Sequence, residues 1–452
     1  MSMKKLFVSL CVGLFAVTAS AQEIGVVFEH LLTDANPPLP ILTAKGRTVD
    51  SEGAEVGTWQ AGERTSDTYF GLKRFDDTRL LLGIRQNGIN ESDPDANLDL
   101  AAQYPDNSII WIDSFNGNPM GIALELGVIP EPQSSAEWNE AWWGSASDAP
   151  PFYMSFELDD DKNIYINQGQ HIVRYTPNGA DGFTGPELVF SFEGDYLGYD
   201  FRPGNLSVSG SGADTIITGG NDGVYFVITT QDGNTFSVRE TTGRSSWPGF
   251  NGAASNIILS PDGFTNYVYN SGYPGASNGW DSTFYRAYKD VGSEDAPWGN
   301  DELWSVQGEV TETPTIQTYK PNYINSIKGL DGLIYVVSCS SSTWQIDNIH
   351  ADDNGEIRPC FIAVHDAAFE AEQDGALIAH RAIQAFTTDE LRTPSSTVPS
   401  SYGGFGQAIE VNQPATAAEN AFEILWSGGV FGYGRYTFGD IGETSVNEWS
   451  LF

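Results

Sequence analysis

The sequence is poor in cysteine, histidine and basic residues, and each shortage excludes a class of function. Only 3 cysteines and 5 histidines occur in 452 residues. No His-x-x-x-His or His-Glu-x-x-His pattern marks a zinc site, and no Gly-Lys-Ser/Thr phosphate loop is present. Lys and Arg total 22 against 60 Asp and Glu, a formal net charge of −38. A field of this sign repels polyanions, which predicts no nucleic-acid partner.

Long apolar runs are confined to the N-terminus. The apolar stretch Leu6–Val17 follows two lysines and precedes a small-residue cleavage site that ends at Ala21, so residues 1–21 read as a signal peptide. Leu10 precedes Cys11, where a lipid-anchored protein would carry a small residue. No later run approaches the ~20 residues of a membrane helix. We therefore expect a secreted or extracellular protein, with the periplasm as an alternative, and no membrane span.

Cleavage after Ala21 leaves two cysteines, Cys339 and Cys360. In an oxidising compartment such a pair can form one disulfide. The runs Ile334–Cys339 and Cys360–Val364 read as two strands of one hairpin, which would bring the two sulfur atoms together. Two buried free thiols are the alternative.

Helical signals are also scarce. The best is Asp366–Ile383, rich in Ala and Glu, although Ala376–Ala379 within it fits a strand equally well. Elsewhere short β-branched or aromatic runs alternate with turn residues, and the chain contains 49 Gly and 23 Pro. This pattern predicts an all-β chain with many turns.

Five segments repeat one pattern, in which a strand leads through an Asp/Gly or Asn/Gly turn to a second strand rich in Ile, Val and Tyr. These segments are Tyr69–Ile84, Phe152–Ile166, Asn205–Ile228, Asn256–Tyr269 and Tyr323–Val337. A third strand follows three of them, at His171–Tyr175, Thr283–Tyr288 and Phe361–Val364. Weaker units are Ile109–Leu126 and Phe422–Phe438.

A repeated hairpin with an added strand is the content of a four-stranded blade, so the chain resembles the β-propeller superfold over most of residues 65–452. The resemblance implies one propeller domain over residues 22–452, with six or seven four-stranded blades. Ile24–Phe28 and Gly434–Phe438 would pair and close the ring, because such pairing removes an exposed edge. Two β-sandwiches or a parallel β-helix fit the sequence less well. Two sandwiches would predict a domain boundary, and a β-helix would predict a short, strict repeat, and neither is visible in the sequence.

Aromatic residues concentrate in segments that read as long loops, chiefly residues 131–151 and 271–318. Exposed aromatic rings on such loops can stack on sugars or anchor a protein interface. The predicted ligand-binding residues are Trp138, Trp142, Trp143, Trp247, Tyr273, Trp280 and Trp298. Burial between blades is the competing interpretation, and it is favoured for Trp111, Trp344 and Trp426, which lie in strand-like runs.

One acidic pattern predicts a metal site, with calcium as the only cofactor that the sequence suggests. Carboxylate and amide oxygens at alternate positions suit a hard cation. The residues are Asp93, Asp95, Asn97 and Asp99. Leu98 and Tyr104 stand where a calcium loop has glycine and glutamate, so a solvated acidic loop is the alternative.

A catalytic constellation is not evident from the sequence. A β-eliminating polysaccharide lyase needs a His or Tyr base and basic residues that neutralise a uronate. The residues that could form such a set are His171, Arg174, Tyr175, Arg202 and Arg244. Paired carboxylates for glycoside hydrolysis are uninformative among 60 acids.

These patterns favour a secreted, non-catalytic binding or assembly module that recognises an extracellular glycan or protein through aromatic loops. One alternative is a carbohydrate-active enzyme, either a polysaccharide lyase or a glycoside hydrolase, with its site in the propeller funnel. Another is a self-associating structural subunit of an extracellular array, because fold alone does not set function.

Overall fold

The computed structural model describes most of the strand-forming regions of the chain. The described residues are 23–31, 38–39, 69–84, 103–105, 107–126, 153–168, 171–192, 205–221, 224–242, 254–259, 265–271, 282–288, 299–306, 323–340, 356–366, 377–387, 407–428 and 432–442. Among them lie 24 strands and one 3-10 turn, Gly212–Asp214. The signal peptide predicted at residues 1–21 lies outside these ranges.

The described strands form six four-stranded antiparallel sheets, numbered here in chain order. Sheet 1 contains β2 (Tyr69–Arg74), β3 (Arg79–Ile84), β4 (Ser108–Asp113) and β5 (Pro119–Glu125). Sheet 2 contains β6 (Tyr153–Leu158), β7 (Ile164–Gln168), β8 (His171–Pro177) and β9 (Phe183–Ser191). Sheet 3 contains β10 (Asn205–Ser209), β11 (Ile216–Asn221), β12 (Val224–Thr230) and β13 (Phe236–Thr242).

The second half of the chain supplies the other three sheets. Sheet 4 contains β14 (Ala254–Leu259), β15 (Thr265–Ser271), β16 (Ser282–Tyr288) and β17 (Gly299–Val306). Sheet 5 contains β18 (Tyr323–Lys328), β19 (Ile334–Ser340), β20 (Glu356–Asp366) and β21 (Leu377–Thr387). Sheet 6 contains β22 (Gln407–Asn412), β23 (Phe422–Gly428) and β24 (Gly432–Phe438), together with β1 (Ile24–Leu31) from the start of the chain.

The first strand of each sheet contacts the first strand of the next. Strand β2 touches β6, and the contacts continue through β10, β14, β18 and β22 back to β2. These strands therefore line a common axis, while later strands lie progressively outward. This is a propeller arrangement, so the all-β class and the resemblance to the β-propeller superfold are confirmed.

Sheet 6 joins the two ends of the chain. Strand β1 pairs antiparallel with β24, with Ile24 opposite Phe438 and Leu31 opposite Gly432. The predicted pairing of the first and last strands is therefore confirmed. Its physical basis is the removal of an unpaired strand edge, since β24 would otherwise present open backbone groups on the outer side of the sheet.

One sequence-based expectation is wrong. The segment Ile109–Leu126 is not a separate repeat, because it supplies β4 and β5, which complete sheet 1. Of the helix and strand interpretations left open within Asp366–Ile383, the strand is confirmed where that segment is described, since Leu377–Thr387 is strand β21 and pairs with β20. Pairing with a neighbouring strand has overridden the local helix preference of the Ala-rich run.

The described core lies between adjacent sheets, because clusters of buried side chains join sheets 5 and 6, sheets 6 and 1, sheets 1 and 2, and sheets 2 and 3. Successive residues Leu80, Leu81 and Leu82 of β3 are all fully buried, and they pack alternately against sheet 6 and sheet 2. Trp111 and Trp426 are likewise buried, as their strand-like runs predicted. This two-sided burial explains why the strands read as apolar runs instead of alternating patterns.

Among the described residues, we find no helix with the length and apolar character needed to cross a membrane.

Candidate functional site

Three ionisable side chains from three consecutive first strands meet at the axis of the ring. Lys73 of β2 is 1% exposed. Its Nζ lies 2.6 Å from Oε1 of Glu157 on β6 and 3.2 Å from Oε2 of Glu410 on β22. The side chains of Glu157 and Glu410 keep 18% and 17% of their surface exposed. We call Lys73, Glu157 and Glu410 the axial cluster.

Burial and charge act in opposite directions within the axial cluster. Burial raises the pKa of Glu157, the Lys73 ammonium partly reverses this, and the Glu410 charge adds to the rise, so the pKa is about 7. For Lys73, burial alone would lower the pKa, but the two carboxylates outweigh it and the net pKa is raised. Lys73 therefore stays charged near neutral pH, whereas Glu157 is divided between its two protonation states.

A second charged cluster lies further from the axis and is largely buried. Glu423 of β23 and Arg435 of β24 are both 0% exposed. Glu423 accepts hydrogen bonds from Arg74 at 2.7 Å and 2.5 Å and from Arg435 at 2.5 Å. We call Arg74, Glu423 and Arg435 the buried triad. Because its carboxylate is fully occupied by protein donors, it is a structural link between sheets 1 and 6.

Arginines also join neighbouring sheets by donating to backbone carbonyl oxygens. Arg79 donates to Ala180 across sheets 1 and 2, and Arg174 to Gly233 across sheets 2 and 3, both at 2.7 Å. Arg381 donates to Ile24 across sheets 5 and 6 at 3.3 Å, and Arg435 to Ser114 across sheets 6 and 1 at 2.6 Å. Four boundaries between sheets thus share the same arginine-to-carbonyl hydrogen bond. In each of these four, the arginine belongs to one sheet and the carbonyl to the next sheet around the ring.

The predicted lyase residues are only partly within the described chain. His171, Arg174 and Tyr175 lie together on β8, the third strand of sheet 2. Arg174 is engaged with Glu187 at 2.7 Å as well as with Gly233. Tyr175 is buried, its hydroxyl accepts a hydrogen bond from Gln168, and burial raises its pKa. Arg202 and Arg244 lie outside the described residues, so convergence of the five residues stays a prediction.

The aromatic and metal-site predictions also fall outside the described residues. This holds for Trp138, Trp142, Trp143, Trp247, Tyr273, Trp280 and Trp298, and for Asp93, Asp95, Asn97 and Asp99. Within the part of the chain that the structure describes, no group of three His, Cys, Asp or Glu side chains is placed to hold a metal ion. The calcium site therefore stays a prediction.

Cys339 and Cys360 lie on neighbouring strands. Cys339 is buried on β19 opposite Ile362 of β20, and Cys360 belongs to β20 as well. The predicted neighbourhood of the two strands is confirmed, and the disulfide itself stays a prediction.

Sequence reasoning missed the axial cluster. The available signal was a charged residue inside an apolar strand run: Lys73 within Tyr69–Phe75, and Glu157 within Phe152–Leu158. A charged side chain in such a run requires a partner when it is buried. The partners come from different sheets, so the local pattern does not name them.

No family model and no curated protein sequence matches the chain. Solved structures with a similar fold include an endo-arabinase from Bacteroides thetaiotaomicron, at 9% identity, 64% coverage of this chain, 93% coverage of that chain and a TM-score of 0.38. A DUF4623 family protein from Bacteroides eggerthii shows 10% identity, coverages of 83% and 71%, and a TM-score of 0.39. An exo-β-1,3-galactanase from Phanerochaete chrysosporium shows 9% identity, coverages of 85% and 78%, and a TM-score of 0.35. At these identities and TM-scores the likenesses assign no activity to this chain.

Proposed function

We propose that the protein is a secreted, six-bladed β-propeller that binds an extracellular glycan, with the axial cluster as its polar anchor. The six sheets and the closed sequence of contacts between their first strands support one ring of six blades. The predicted export and the formal net charge of −38 are consistent with a carbohydrate ligand outside the cell.

The observation that carries the proposal is the pair of glutamates at the axis whose side chains stay partly exposed. Glu157 and Glu410 are fixed by Lys73 yet keep surface open to solvent. Sugar hydroxyl groups donate strong, charge-assisted hydrogen bonds to such carboxylates. A few convergent polar groups, one of them with a perturbed pKa, are typical of a ligand site. In this proposal the aromatic loops predicted from the sequence add stacking platforms around the polar anchor.

A glycan array followed by calorimetry tests this function. We expect the wild-type protein to retain at least one neutral oligosaccharide, and the double variant Glu157→Gln/Glu410→Gln to weaken its affinity at least tenfold. Glu187→Gln is the matched control, because Glu187 is a 54% exposed carboxylate of sheet 2 that pairs with Arg174 away from the axis. An array with no retained glycan, or equal losses in both variants, would contradict the proposal.

Glycoside hydrolysis is a second candidate, favoured by one specific observation. Oε1 of Glu157 and Oε2 of Glu410 both bind the Lys73 ammonium, so they are at most about 6 Å apart. This upper limit is compatible with the separation of about 5–5.5 Å between the carboxyl groups of retaining glycosidases. With its pKa of about 7, Glu157 could hold the proton that a leaving group needs. Release of reducing ends from the retained glycan, lost in Glu157→Gln, would support hydrolysis. Unsaturated products would instead indicate a lyase.

A further inference from the structure

The two carboxylates of the axial cluster are not equivalent. Oε1 of Glu410 accepts the backbone N–H of Arg74 at 3.2 Å, and its Oε2 is screened from solvent and faces Lys73. Glu157 uses Oε1 to accept a hydrogen bond from Lys73. In the part of the chain that the structure describes, no protein donor bonds to Oε2 of Glu157. Glu157 is therefore the member with an oxygen left for a ligand.

The charged residues that face Glu157 and its lysine partner in the described part of the chain come from strands β2 and β22. Lys73 faces it from β2, and Glu410 faces the same ammonium from β22. On the adjacent strand β7 the register places Tyr165 opposite Glu157, and the Tyr165 hydroxyl bonds to Asp159. Strand β10, on the other side, carries no ionisable residue. The protonation state of Glu157 therefore decides whether the axial cluster is neutral or carries one negative charge.

We propose that Glu157 is the ligand-contacting residue of the axial cluster and that it selects neutral, hydroxyl-rich glycans over uronates, with binding strengthened when its carboxylate is ionised. This inference rests on the proposed glycan-binding function. A sugar hydroxyl donates a stronger hydrogen bond to a carboxylate than to a neutral acid. A uronate carboxylate would instead meet a like charge in a site of low dielectric constant.

The expected pH dependence of glycan binding follows from the near-neutral pKa of Glu157. Because the pKa of Glu157 is about 7, its ionised fraction rises about tenfold between pH 6 and pH 8. A neutral glycan that requires the ionised form should bind about tenfold more tightly at pH 8. By reciprocal linkage, the bound glycan should lower the pKa of Glu157.

The test measures affinity at pH 6 and pH 8 for cellohexaose, xylohexaose, mannohexaose, arabinohexaose and hexagalacturonate, together with any neutral glycan that the array retains. For the wild type we expect tightening of the neutral ligand with rising pH and at least tenfold weaker binding of hexagalacturonate at pH 8. Glu157→Gln should bind more weakly and lose the pH dependence, whereas Glu157→Asp should keep it. Glu187→Gln should behave as the wild type.

The outcomes separate this inference from the proposed function. A neutral glycan that binds equally at both pH values, or whose pH dependence survives in Glu157→Gln, overturns the role of Glu157 and leaves glycan binding intact. Tighter binding of hexagalacturonate overturns the selectivity. Failure of every glycan to bind overturns the proposed function itself.

NMR titration of labelled glutamate side chains tests the inference without a ligand. We expect one carboxyl signal that titrates near pH 7 and disappears in Glu157→Gln. The absence of that signal from the wild-type protein would contradict the inference.

Discussion

The axial cluster and the buried triad contain similar chemistry in different surroundings. Both join sheets 1 and 6 through ion pairs between acidic and basic side chains. In the buried triad two arginines occupy the oxygens of Glu423, which is 0% exposed. In the axial cluster one lysine is shared by two carboxylates that remain 17–18% exposed. The first arrangement leaves nothing for a ligand, whereas the second keeps acceptor capacity at the surface. Whether the carboxylate oxygens already accept protein hydrogen bonds therefore distinguishes a structural ion pair from a ligand-binding site better than the presence of charge does.

The largest effect should come from removing the carboxylate of the buried triad. Glu423→Gln would leave Arg74 and Arg435 without their shared counter-charge, and breaking a buried pair costs about 3–5 kcal/mol. We expect a loss of that size in the free energy of unfolding, measured by urea denaturation at pH 7.5. Glu410→Gln should cost less than half as much. Equal losses would remove the distinction between the two clusters.

Removal of the shared lysine should produce the next largest effect, and it should depend on pH. Lys73→Met leaves Glu157 and Glu410 facing each other without a cation, at a cost of about 2–4 kcal/mol at pH 8. The loss should shrink at pH 6, where Glu157 takes up a proton. Parallel denaturation curves at the two pH values measure the difference. A loss that is constant with pH would show that the two carboxylates do not share the lysine.

The wild-type protein should show a smaller pH effect from Glu157 alone. Its folded-state pKa of about 7 lies above an unfolded value of about 4.3. Between these values the folded state binds more protons, so this contribution to stability falls as pH rises from about 4.5 to 7, by about 1–3 kcal/mol. Glu157→Gln should flatten that part of the stability profile. Asp232, whose pKa is lowered to about 2, acts only at lower pH.

The smallest effect should come from an exposed partner of an inter-sheet arginine. Glu187→Ala removes a carboxylate that is 54% exposed, while Arg174 keeps its bond to the Gly233 carbonyl. Exposed ion pairs contribute about 0–1 kcal/mol, so the unfolding midpoint should barely move. Arg174→Met, which removes the carbonyl bond as well, should destabilise more. If Glu187→Ala were as damaging as Arg174→Met, the salt bridge would carry the contact between the sheets.

Local features of the fold could be predicted because they depend on neighbouring residues. An Asp at a hairpin turn, such as Asp76, accepts backbone hydrogen bonds from Thr78 and Arg79, and this chemistry is visible in the sequence. Membership of a sheet is not local, so Ile109–Leu126 was assigned to a separate unit. The sequence left helix and strand open for the Ala-rich run near Leu377 for a related reason, since its strand pairing with β20 is a tertiary contact.

The candidate site was hidden for the same physical reason. Lys73 and Glu410 are far apart in the sequence and become neighbours only when strand β22 packs against strand β2 and closes the ring. The periodicity of each strand reports that a charged residue interrupts an apolar run. It does not report which sheet faces it, nor whether a carboxylate oxygen is left uncommitted.

The joint between β1 and β24 has a consequence for biosynthesis. Strand β1 is translated long before β24 and must wait for it before the two can pair. A product terminated before Gly432 would expose the outer edge of β23 and leave β1 without its partner strand, and both edges could recruit a second molecule. Translation through β24 is therefore needed to close the ring, and cellular quality control could recognise a product that lacks β24 by its unpaired strand edges.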